Sequence, residues 1–158
     1  VGRIYQIKHG GTLAATDIDV WTVQAPTDAA VRLLGVDVGQ VNQEGIDNSE
    51  QRRIGIYRMS AIGIGGGGST KTPVPIDKGD AAFGGTVKAF HSSLGTLDET
   101  LFEGAFNNQV GFHWEAQGAM AYVISPQSAS PGLICVRIYG ATLSNNHAGM
   151  LTFEEIGG

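Results

Sequence analysis

The residue spacing that most invites a chemical reading is Gly63-x-Gly65-x-x-Gly68, which matches the dinucleotide-binding fingerprint. In that fingerprint the glycines let the backbone approach a pyrophosphate, and a helix N-terminus directly after them supplies the free N–H groups that hold it. Pro73 and Pro75 follow here, and no amphipathic helix can begin, so the tract is predicted to be a flexible loop. Ser69, Thr70 and Lys71 come next, but the Gly-Lys-Ser/Thr order of a phosphate loop is absent. The lysine and the metal-binding hydroxyl are therefore misplaced for that chemistry.

The other reactive residue types are scattered. His9, His91, His113 and His147 show none of the short spacings that build a metal site. His113 and Glu115 alternate with Phe112 and Trp114, which predicts the solvent side of a half-buried strand. Glu154 and Glu155 are neighbours, so in a strand they face opposite ways and cannot form an acid/base pair by themselves. Asp98, Glu99 and Glu103 fall near a predicted turn, where solvated charge is expected. The adjacent Arg52 and Arg53 are expected to be solvated charges at a strand end. Cys135 is the only cysteine, so no intrachain disulfide can form. It lies in an apolar run and is expected to pack as a small hydrophobe. No Gly-x-Ser-x-Gly elbow is present. The expectation is a non-enzymatic chain with no cofactor and no metal, acting through its surface. Trp21 and Trp114 each sit in a β run; core packing is expected, with a sugar-stacking platform as the alternative.

The elements that position these residues are strands. The 158 residues include 24 glycines, spread along the chain. Each costs a helix about 1 kcal/mol relative to alanine. Alternation and β-branched runs appear instead of a 3.6-residue repeat. Predicted strands run over 3–9, 18–25, 31–41, 53–62, 86–90, 100–106, 112–117, 122–125, 133–139 and 150–156. Alternation places Trp21 and Val23 on one face with Asp19, and Leu34 on one face with Val36 and Val38. The segments 100–106 and 112–117 are expected to pair across Asn107-Asn108. Residues 72–75 read as an extended edge or linker. About nine strands with regular turn signals predict an all-β antiparallel sandwich, jelly-roll or Greek-key-like. Residues 1–158 form one domain, with long loops at 42–51 and 63–85.

Composition excludes some partners. The formal net charge is −5 and there is no basic stripe, so no nucleic-acid partner is expected. No apolar stretch approaches the roughly 18 residues of a membrane span, and no signal-peptide pattern is found. Charged residues are only 16%, against about 25% in an average domain, which suggests that part of the surface is covered by something else.

Several segments in order resemble a family of small structural proteins of tailed-bacteriophage virions. They are Asp19 to Asp28, Val31 to Gln40, the Arg-rich Gln51 to Arg58, and a Gly/Ser/Thr tract leading to Pro73-x-Pro75. Glu103 to Asn107, Ser125-Pro126 and the closing Thr152 to Gly158 complete the set, which spans nearly the whole chain. The resemblance implies a capsid decoration or cement protein, made in the host cytoplasm and acting on the outer capsid surface of the virion. It further implies the major capsid protein as partner and assembly as a homotrimer that stabilises the shell. A tail, neck or head-fibre component and a glycan-binding attachment module are the alternatives. The expected contact residues are Val41, Asn42, Gln43 and Glu44 in the polar loop and Gly65, Gly66 and Gly67 in the glycine tract. Phe153 and Glu154 in the closing segment join them, and the N-terminal residues 1–10 are a further candidate.

Overall fold

The computed structural model describes residues 2–13, 15–41, 49–63, 68–127, 132–142 and 144–157. Twelve strands are formed among them: β1 (Arg3–Leu13), β2 (Ile18–Gln24), β3 (Ala30–Gln40), β4 (Gln51–Ala61), β5 (Ser69–Lys71), β6 (Val74–Pro75), β7 (Thr86–His91), β8 (Thr96–Asn107), β9 (Phe112–Glu115), β10 (Val123–Ile124), β11 (Leu133–Ile138) and β12 (Asn145–Ile156). One sheet has the order β10-β3-β12-β1-β6, with β9 also pairing β3; the other has the order β5-β7-β2-β11-β4-β8. Every pairing is antiparallel. Without β5, β6, β7 and β10, the sheets reduce to β1-β12-β3-β9 and β2-β11-β4-β8. Early strands interleave with late ones in both, which is the double Greek key of a jelly roll. The predicted all-β sandwich is therefore the observed fold. The predicted loop over 63–85 holds two edge strands, β5 and β6, and the Thr72–Pro75 segment reads correctly as an extended edge.

The core lies between the sheets. Tyr5, Ile7, Leu33, Val36, Leu151 and Phe153 from one sheet meet Trp21, Val23, Ile54, Ile56, Ile134 and Val136 from the other, all buried. A second apolar cluster of Tyr57, Met59, Leu133 and Cys135 lies apart from it, with Ile62, Leu97 and Tyr139 packed against it. Chain segments at 61–63 and 95–97 close over this cluster. A Cβ on Gly95 would stand 2.0 Å from Met59 Cε and 2.4 Å from the Ala61 carbonyl oxygen, so only glycine allows that approach.

Two β-bulges correct the simple alternation. Against β12, Phe153 pairs with Leu33 and Thr152 with Gly35, which leaves Leu34 as an extra residue. Leu33, not Leu34, then joins Val36 and Val38 in the core. Against β11, Val136 pairs with Trp21 and Arg137 with Asp19, which leaves Val20 extra. Val20 and Trp21 both enter the core, and Asp19 turns away from the Trp21 face toward Arg137. The expected pairing of 100–106 with 112–117 is also corrected. β8 pairs with β4, and β9 pairs with β3 in the opposite sheet. The Asn107–Gly111 turn crosses the sandwich instead of closing a hairpin.

Candidate interaction surface

Buried charge accounts for several residues that chemistry might have claimed. Asp19 accepts hydrogen bonds from Arg137 Nε at 2.6 Å, Arg137 Nη2 at 3.2 Å and the Gly95 amide at 2.9 Å, and Arg137 Nη2 also donates to the Gly95 carbonyl at 2.9 Å. Asp19 and Arg137 are both buried, so this pair anchors the 92–96 segment to the sheet. Arg52 is buried as well, against the expectation of a solvated strand-end charge. It donates to the Leu13 carbonyl at 3.4 Å and lies 3.7 Å from Glu50, so the end of the sandwich provides the polar partners that solvent would have supplied. Its neighbour Arg53 is exposed as expected, sits 4.2 Å over the Tyr139 ring and pairs with Glu103.

Glu103 also accepts from Tyr57 at 2.7 Å, and Tyr57 lies 2.9 Å from the Tyr139 hydroxyl. The Tyr57 bond, then the Arg53 bond, hold the Glu103 carboxyl below its ordinary range. Burial, then the Tyr139 and Glu103 bonds, push the Tyr57 phenol well up. Tyr57 thus stays protonated and acts as a fixed donor, and the cluster ties β4 to β8. Burial likewise pushes the Cys135 thiol up, away from nucleophilic chemistry and in line with the packing role expected for it. Among the described residues no group of three histidine, cysteine, aspartate or glutamate side chains is placed to hold a metal ion.

The tryptophans divide. Trp21 is fully buried, so it offers no sugar platform. Trp114 is partly buried on β9 and stacks on Tyr122, with ring centroids 5.2 Å apart and planes 9° apart. His113 and Glu115 are on the solvent face of β9, as predicted. His113 Nδ1 lies 2.5 Å from Asp37 Oδ1; that hydrogen bond, then the Asp37 charge, raise the pKa of His113 above the usual imidazole range.

Large apolar side chains are exposed at both edges of the first sheet. On the β6 edge, Val74 is 65% and Ile76 58% exposed. On the opposite edge, Met120 is 76% and Val123 40% exposed. Val110 on the β8–β9 turn and Val41 just past β3 are exposed too. Of the contact residues expected from the sequence, Val41 therefore presents apolar surface. Phe153 is corrected: it is fully buried and stacked on Tyr5 at 5.7 Å, because the inward phase of β12 carries it into the core. Glu154 faces outward but is held by Arg32 at 2.7 Å. Asn42, Gln43, Glu44, Gly65, Gly66 and Gly67 lie outside the described residues. Sequence reasoning missed Val74, Ile76, Met120 and Val123. A hint was present in Val74, which stands between two prolines that confine its strand to an edge.

No family model matches the chain, and no curated protein matches it in sequence.

Proposed function

We propose that this chain is a non-enzymatic decoration protein of a phage capsid, binding the outer shell as a homotrimer and stabilising it. The observation that supports the reading is the exposed apolar pair on each of two opposite edges of one sheet: Val74 and Ile76 on one, Met120 and Val123 on the other. Different edges meeting between copies make a heterologous contact, and such contacts close into rings when the rotation permits. A ring of three presents the same shell-binding surface three times. Weak single contacts with a lattice of identical subunits then add through avidity. The jelly roll suits this role because its two packed sheets hold both edges rigidly at a fixed separation.

The test is the copy number of this chain relative to the major shell protein, by quantitative mass spectrometry of purified particles. A simple integer ratio to the shell subunit is the expected result. A handful of copies per particle would move the chain to the tail, neck or a fibre, and absence from particles would end the virion reading.

A further inference from the structure

We propose that the space between the sheets beneath Phe90 is a built hydration site, holding one water molecule between Trp21, His147 and His9. These three are the polar side chains among the described residues that line the cavity, with Leu13, Val20 and Val38 as part of its apolar wall. Trp21 Nε1, His147 Nε2 and His9 Nε2 are all buried and have no hydrogen-bond partner within the protein. Trp21 and His147 are themselves more than nine-tenths buried. The strand register explains why the two histidines converge. His9 pairs with Gly149 and Gly11 with His147, so the histidines are diagonal neighbours on the inward face of β1 and β12.

The hydrogen-bonding roles select water. His147 Nδ1 lies 3.1 Å from the Asn145 carbonyl oxygen, which can only accept, so the ring proton sits on Nδ1. In the neutral ring Nε2 is then an acceptor, whereas the Trp21 indole is a donor only. One water can accept from Trp21 and donate to His147, with its remaining capacity available to His9. Three partners is the usual number for a buried water. A metal ion fits poorly, because the indole N–H is no ligand and two histidines fall short of the three or four protein ligands of a zinc site. Size admits water. The centre of a water molecule has about 10 Å³ in which to move inside the cavity. A single water occupies about 10–15 Å³, so the space holds one with room to adjust to its three partners.

Phe90 closes the site. Its φ of 62° is the one positive value among the described non-glycine residues. That conformation is unfavourable for a bulky side chain, and it persists where the surroundings demand it. Here it brings the ring to 4.7 Å from His9 and over Gly11, where a Cβ would stand 2.7 Å from the Phe90 ring.

The test is a crystal structure of the unmodified protein at a resolution that orders water. It is paired with a water-to-indole cross-relaxation measurement on ¹⁵N-labelled protein, using Trp114→Phe to assign the Trp21 signal. The expected result is one peak within hydrogen-bonding distance of Trp21 Nε1 and His147 Nε2, with a long-lived water contact at the Trp21 indole proton. An empty cavity, a direct Trp21–His147 hydrogen bond, or anomalous scattering from a metal at the peak would each overturn the proposal. Trp21→Phe, if it folds, should lose the peak; the measurement on the unmodified protein decides the matter without it.

Discussion

The Asp19–Arg137 pair allows the sharpest energetic test. Asp19 accepts three hydrogen bonds, two from Arg137 and one from Gly95, in a site closed to solvent. Arg137→Met removes the guanidinium and leaves a buried carboxylate with only the Gly95 amide of those donors. Breaking one partner of a buried pair costs about 3–5 kcal/mol, because the remaining charge stays desolvated and uncompensated. With a urea slope of about 2 kcal/mol per molar, the unfolding midpoint should fall by about 2 M. Asp19→Leu should cost a similar amount, since it strands the guanidinium. The double variant Asp19→Leu/Arg137→Met removes both charges, and replacing a whole buried pair by apolar groups is often near neutral. The double variant should therefore be more stable than either single one. Equilibrium urea unfolding, followed by tryptophan fluorescence and checked by circular dichroism, measures all four corners of the cycle. If the double variant loses the sum of the two single losses, the pair is not coupled and the reasoning is refuted.

Acid should destabilise the fold through its buried histidines. Burial, then the Lys71 charge, lower the His9 pKa; burial and the Arg52 charge lower that of His147 against the opposing Asn145 carbonyl bond. The unfolded chain then takes up protons first, so this stability is complete above about pH 6.5 and is lost as pH falls through the folded values. Melting temperature against pH should show this slope, and His147→Gln should flatten it. Leu33→Ala should cost about 2–5 kcal/mol by chemical unfolding and Leu34→Ala less than half as much, because the bulge sends only Leu33 into the core. The reverse order would refute the register. Val74→Asp and Met120→Asp should each abolish the proposed trimer in analytical ultracentrifugation while leaving the fold intact. Mixed together, they should form a dimer through the one intact pair of edges. Two Val74 edges meeting each other would give no such rescue.

Much of the sandwich is legible in the sequence because period-two burial is a local property. Ile54 and Ile56 enter the core and Tyr57 faces the other way, as alternation dictates. The bulges are not local. Leu34 and Val20 are set out of phase by what stands opposite them in β12 and β11, more than 90 residues away in sequence. Asp19 reads as a partner of Trp21 until Val20 is taken out of the count. Arg52 reads as solvated because its compensating carbonyl, on Leu13, belongs to a strand that only the fold brings near. The β8–β9 connection carries hairpin-like residues, and the choice between hairpin and crossover rests on β4 being a longer partner for β8 than β9 is.

The edges of the first sheet combine two features that act in opposite directions. β6 and β10 are each two residues long, and the four-residue β9 shares the β3 edge with β10. Strands that short offer little backbone for another chain to extend, which is how natural sheets discourage open-ended strand addition. Pro75 strengthens this on the β6 side, since it has no N–H to donate. Yet Val74 and Ile76 on one side, and Met120 and Val123 on the other, are apolar and exposed. A copy approaching such an edge gains from burying side chains and little from backbone pairing, so contact favours a defined packing geometry over indefinite sheet growth. A closed ring needs that combination, whereas a fibre built by strand addition needs the opposite one. At β6 and β10 themselves, apolar side chains are thus separated from available backbone, the combination that the proposed closed trimer requires.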